Sequence, residues 1–149
     1  MKKIFALLFV LSSLIPSCDN NSSSVSFSSA TIEPEITHSY NEIEDRKIKW
    51  KDVFFPSKTQ YFVYFYSLTC SHCNQLKNKI IEYALVNENI YFVQDSEDVV
   101  IDKNVDQTIG INDVESLRIK GFPSLVQIDN KTITKNVAGI NDIILILNL

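Results

Sequence analysis

Two cysteines separated by two residues, Cys70-Ser71-His72-Cys73, are the side chains of this 149-residue chain best placed to do chemistry. They follow the apolar run Tyr61-Phe62-Val63-Tyr64-Phe65-Tyr66 and open the segment Asn74-Gln75-Leu76-Lys77-Asn78-Lys79-Ile80-Ile81. That pattern predicts a strand, a short turn and a helix, with both thiols at the turn. A thiol at a helix N-terminus lies beside unpaired backbone N–H groups and the positive end of the helix dipole. Both favour thiolate, the nucleophilic form of a thiol. The chemistry open to such a pair is thiol–disulfide exchange. Cys70, at the helix start, would attack a disulfide sulfur and form a mixed disulfide. Cys73, one turn further in, would then attack Cys70 and release the reduced product. Run backwards, the same steps oxidise a dithiol. His72, when charged, would stabilise the reduced pair, and a more stable reduced form makes the disulfide more oxidising.

The elements that must hold the pair are legible around it. Gln60 to Tyr66 carries apolar residues on both faces, as a strand covered on both sides does. The helix after Cys70 places Leu76, Ile80, Ile81, Ala84 and Leu85 at three- and four-residue spacing, one buried stripe. Ile48 to Phe55 brings the first core residues, as a short strand running into a helical turn. A strand is predicted over Ile90–Gln94, then a polar irregular stretch over Asp95–Ile111. Asn112 followed by Glu115 predicts a helix start, with a short helix over Asp113–Lys120. Gly121-Phe122-Pro123 leads into a strand from Ser124, Asp129-Asn130-Lys131 makes a turn, Thr132–Val137 pairs back, and Asn141–Leu149 closes as a helix.

Three features together resemble the thioredoxin superfamily: the Cys-x-x-Cys after an aromatic strand, Gly121-Phe122-Pro123-Ser124 before the hairpin, and Val137-Ala138-Gly139 before the last helix. The resemblance covers roughly residues 48–149. It implies an α/β, thioredoxin-like fold with a central mixed β-sheet flanked by helices. It also implies a cis peptide at Pro123, packed against the two sulfurs, with Phe122 offering its main chain to an extended protein substrate. It implies no cofactor. Two departures stand out. Tyr64, six residues before Cys70, occupies the place of a buried acid that assists proton transfer in thioredoxins; its phenol is neutral at pH 7. Ser71-His72 replaces the usual Gly-Pro, and a histidine just before the second cysteine resembles the periplasmic thiol oxidases.

The N-terminus bears on where this chemistry would take place. Met1-Lys2-Lys3 is basic, and Ile4 to Ile15 is apolar apart from Ser12 and Ser13, too short to span a bilayer and right for the core of a signal peptide. Ile15-Pro16-Ser17-Cys18 resembles the lipobox of bacterial lipoproteins, which implies cleavage before Cys18 and a lipid on its sulfur. The chain then divides into a lipoprotein signal peptide over 1–17, a flexible linker over 18–44 that contains His38 as a solvated residue, and a thioredoxin-like domain over 45–149. Two acyl chains suffice for a stable membrane anchor. The expected location is extracytoplasmic, on the membrane of the cell envelope, where disulfide chemistry is the common use of cysteine.

Composition limits the other readings. With 14 Lys and Arg against 18 Asp and Glu, a net charge of -4, there is no basic surface for a phosphate backbone, so no nucleic-acid partner is expected. Cys70, Cys73 and His72 fall short of the four ligands zinc normally takes, and no second Cys-x-x-Cys follows, so no metal is expected. The rival from another class is a non-catalytic, thioredoxin-fold binding lipoprotein in which Cys70 and Cys73 form a structural disulfide. In the enzymatic reading the partners are protein thiols and disulfides, and the direction of electron flow is open. A reductase would draw electrons from a membrane redox partner, whereas an oxidase would need an oxidant.

Overall fold

The computed structural model describes residues 36–149; the expected signal peptide over 1–17, Cys18 and residues 18–35 of the expected linker lie outside the described residues. The organising strand is β1 (Gln60–Tyr66). Its alternation sends Phe62, Tyr64 and Tyr66 into one hydrophobic cluster and Tyr61, Val63 and Phe65 into another, on opposite faces of the sheet. Five of its residues have no exposed surface at all. Burying a large apolar side chain contributes about 1.5–3 kcal/mol, so β1 is a principal anchor of the fold.

From β1 the chain enters α1 (Ser71–Val86) and returns as β2 (Ile90–Gln94), which pairs parallel with β1 from Phe62↔Ile90 to Tyr66↔Gln94. On the other side β3 (Ser124–Asp129) pairs antiparallel with β1, and β4 (Thr132–Ala138) antiparallel with β3, before α2 (Ile140–Leu147). The sheet order is β2-β1-β3-β4. Asn130 and Lys131, both at positive φ, make the two-residue turn of the β3–β4 hairpin. Leu76, Ile80, Ile81 and Ala84 of α1 pack with Ile143 and Leu147 of α2 against the Tyr64 and Tyr66 side of the sheet. Leu85, expected in the same stripe, is 47% exposed. This βαβ–ββα order around a mixed sheet is the thioredoxin-like arrangement that the sequence resemblance implies.

The chain packs further upstream than the sequence reading placed it. Tyr40–Arg46 is a 3₁₀ helix kinked at Ile43 (φ -121°, ψ 29°), and its start carries a capping box between Ser39 and Glu42. Tyr40 and Ile43 enter the α1-side cluster, and Tyr40 stacks on Tyr66 with ring centroids 3.9 Å apart. The Arg46 guanidinium donates to the carbonyls of Ala84 and Asn87 at the end of α1. His38 is not solvated: its ring meets Glu42 at 2.9 Å and Glu82 at 3.6 Å, with 12% of the side chain exposed. Two large apolar residues three apart, behind a good cap, account for this docking.

The opposite face is covered by Trp50 and Val53, the latter held through the Tyr61 hydroxyl donating to its carbonyl at 2.9 Å, and by Leu117 and Ile119. The helix expected over Asp113–Lys120 does not form. Asp113 accepts a hydrogen bond from the Ser116 N–H at 2.7 Å, closing one turn only. Beyond it Leu117 and Ile119, two residues apart and fully buried, demand an extended chain, and Ile119 bridges Ile101. Among the described residues no helix is long and apolar enough to cross a membrane.

Candidate functional site

Cys70 is the N-cap of α1, with extended backbone (φ -81°, ψ 118°). Capping oxygens ordinarily accept the free amides of a first turn; here the sulfur does so, taking the Cys73 N–H at 3.3 Å. The turn before it is closed by the Cys70 N–H donating to the Ser67 carbonyl at 3.2 Å and by the Ser67 and Thr69 hydroxyls, 3.1 Å apart. The α1 axis therefore begins at the first sulfur. The two thiols, both free, differ in access: Cys70 is half-buried and Cys73 has no exposed surface.

Cys73 sits in the cluster that β1, α1 and the Tyr40 segment share. Burial, aided by the neighbouring Cys70 thiol, pushes its pKa from 9.0 up to about 12, while a backbone hydrogen bond from Ser67 and the Tyr64 hydroxyl act the other way. Burial also drives Tyr64 and Tyr40 well above the ordinary phenol range, so both stay protonated. Neither phenol oxygen completes a hydrogen bond among the described residues.

Facing the pair is the loop into β3. The Phe122–Pro123 peptide is cis, and the Cys70 thiol donates to the Phe122 carbonyl at 3.4 Å. This loop is pinned on two sides: the Ser124 hydroxyl donates to the Gly121 carbonyl at 2.6 Å, and the Gly139 N–H donates to the Pro123 carbonyl at 2.9 Å. Gly139 does so at φ 99° and ψ 157°, a backbone region that is almost exclusively glycine's. Pairing of Ser124 with Ala138 carries the β4 end to the same place.

The structure thus brings Cys70, Cys73, Phe122 and Pro123 together. His72 is exposed and makes no hydrogen bond or ion pair among the described residues. With Gln75, Gly139, Ile140 and Asn141 it lines an open hollow of about 420 Å³. Cys18 lies outside the described residues. One neighbour of the site, Tyr40, falls within the stretch read as linker. Its signal in the sequence was Ser39-x-x-Glu42 overlapping Tyr40-x-x-Ile43, a cap in phase with an apolar pair.

No protein-family model matches the chain, and no curated protein matches it in sequence. Among solved structures it is similar to a thioredoxin of Plasmodium falciparum, at 14% identity and a TM-score of 0.46 over 69% of this chain and 96% of that one. It is similar to mitochondrial thioredoxin 3 of Saccharomyces cerevisiae, at 13% identity and 0.45, over 68% and 90%. Thioredoxin f of spinach chloroplast gives 17% and 0.43, over 66% and 85%.

Proposed function

We propose that this chain is a thiol–disulfide oxidoreductase acting on protein disulfides and dithiols, held outside the cytoplasm by a lipid on Cys18. The observation that carries the reading is the asymmetry of the two sulfurs. Cys70 is reachable, begins a helix and lies against the Phe122 carbonyl, while Cys73 is enclosed behind it. Such a pair suits sequential attack. The Cys70 thiolate attacks one sulfur of a substrate disulfide; a bond forms between Cys70 and that sulfur, and the second substrate sulfur leaves and is protonated. Cys73 then attacks Cys70, the Cys70–substrate bond breaks, and the Cys73 proton goes to the departing substrate sulfur. The Cys70–Cys73 disulfide that results is the oxidised enzyme.

The main chain of Phe122, beside buried Pro123, suits an extended substrate segment laid across Cys70. His72, exposed one residue from Cys73, favours the reduced pair when charged and inclines the protein to oxidase or isomerase work. The basic and apolar N-terminus ending at Cys18 supports delivery to the cell-envelope membrane, where a membrane redox partner would set the direction of flow.

The test is competitive alkylation after mild reduction, with each cysteine followed by mass spectrometry. Cys70 is expected to react well ahead of Cys73; equal rates, or a faster Cys73, would leave a structural disulfide in a binding protein as the better reading. The reduction potential of the couple then assigns direction, and loss of fatty-acid labelling and of membrane association in Cys18→Ala checks the anchor.

A further inference from the structure

Behind the resolving sulfur lie two tyrosine hydroxyls for which the exchange just described has no use. Tyr64 has no exposed surface and Tyr40 has 6%, and the oxygens of both are buried without a hydrogen-bond partner among the described residues. Buried hydroxyls are ordinarily satisfied, and an exception asks for a cause. Phenylalanine would fill either place with the same ring and no orphaned oxygen. Tyr40, Tyr64 and Cys73 are enclosed in one apolar cluster, and the Tyr64 hydroxyl acts on Cys73 in the direction that favours its thiolate. Tyr40 is fixed there by its stack on Tyr66 and by the capped 3₁₀ helix that carries it.

We propose that the Tyr64 hydroxyl is the hydrogen-bond donor for the Cys73 sulfur during the resolving step, and that Tyr40 is a positioning residue that donates to the Tyr64 oxygen and so leaves the Tyr64 hydrogen for the sulfur. This rests on the reading of Cys70 as nucleophile and Cys73 as resolving thiol. Before the step Cys73 is a neutral thiol and offers its neighbours little to bind. As it attacks the Cys70–substrate disulfide it takes on negative charge in a site closed to water, where a donor counts most. The bond made is Cys73–Cys70 and the bond broken is Cys70–substrate; the Cys73 proton leaves with the substrate thiol. Tyr64 keeps its own proton throughout, since burial holds its ionisation far above the usual range. The titratable groups around Cys73 are Cys70 and the exposed His72 on its own helix turn, Tyr64 from β1 and Tyr40 from the 3₁₀ segment. Phe122 and Pro123 from the facing loop, and Ile143 and Leu147 from α2, bring none.

The test follows the reaction of the reduced protein with 5,5′-dithiobis(2-nitrobenzoate), which separates the two steps by absorbance. Attack by Cys70 releases a first thionitrobenzoate, and attack by Cys73 on the resulting mixed disulfide releases a second. Tyr64→Phe is expected to leave the first phase unchanged and to slow the second about tenfold across about pH 6–8, the effect of one pKa unit on the reactive thiolate. Tyr40→Phe should slow the second phase by a smaller factor, and adding it to Tyr64→Phe should cost nothing more. A second phase as fast in Tyr64→Phe as in the wild type overturns the proposal, and so does an equal slowing of both phases, which would mark a general loss of structure. Should Tyr64→Phe fail to fold, Tyr40→Phe decides in the same assay. A wild-type protein that releases no second equivalent would instead remove the two-cysteine reading itself, and the inference with it.

Discussion

Raising the pH should destabilise the reduced protein through Cys73 in particular. Its pKa rises from 9.0 to about 12 on folding, chiefly through burial. A thiol whose folded value lies above its unfolded one contributes its full stabilisation below about pH 9 and loses it as the pH climbs towards about 12. By about pH 11 two units of that interval are crossed, and at about 1.36 kcal/mol each the reduced chain gives up roughly 3 kcal/mol. That is a large share of the roughly 5–15 kcal/mol typical of a domain. Buried tyrosines ionise in the same range: burial brings Tyr61 and Tyr66 up to about 12. A comparison with Cys73→Ala cancels them, because both chains carry them. The assay is urea unfolding of the reduced wild type and of Cys73→Ala at about pH 8 and about pH 11. At the lower pH the variant should be the weaker by about 1 kcal/mol, from the lost sulfur contacts. At the higher pH the order should reverse, with the variant ahead by roughly 2 kcal/mol. A gap of the same sign and size at both values would refute the reasoning, since a thiol that costs nothing to ionise is not enclosed.

Two further perturbations probe what holds the site. Ile43→Ala should cost about 2–5 kcal/mol in urea unfolding, because the side chain is 1% exposed and packs among β1, α1 and α2; a cost under about 0.5 kcal/mol, that of a surface position, would mean that the 3₁₀ helix does not dock. Gly139→Ala should cost about 1–3 kcal/mol, since its backbone at φ 99° excludes a Cβ sterically even though nothing crowds the site. An unchanged melting temperature would contradict that cost.

Strands and helices with strong periodicity could be read from the sequence: β1, β2 and the hairpin stand where alternation and turn residues put them, and α1 where its apolar stripe put it. The juxtaposition of Cys70 with Phe122, 52 residues apart, followed from the resemblance and from no local signal. Where the reading failed, a local rule met a tertiary one. Asn112 and Glu115 make a respectable helix start, yet Leu117 and Ile119 each need the same face of an extended chain to reach the sheet. Leu85 fits the 3–4 spacing of α1, but the helix axis carries it past the edge of the packed stripe. His38 looked solvated because Glu82, its second partner, lies 44 residues away.

Tyr40 shows why the linker boundary matters to chemistry. A domain begun at residue 45 would still contain the Cys70–Cys73 pair, β1 and the Pro123 loop. It would lack the ring stacked on Tyr66 and the hydroxyl that acts on Tyr64, and the polar group behind Cys73 would lose one of its two phenols. Removing Tyr40 and Ile43 would also open the α1 face of the sheet to water, which would lower the cost of ionising Cys73, since burial is the main cause of its raised pKa. A chain starting at residue 47 should therefore show a less stable fold and a Cys73 that titrates closer to 9.0. In the exchange proposed above the two shifts would oppose each other: a thiol that is easier to ionise gains thiolate, and a lost donor would give some of it up. If Cys73 titrates at the same pH in both chains, the 3₁₀ helix is a structural brace alone.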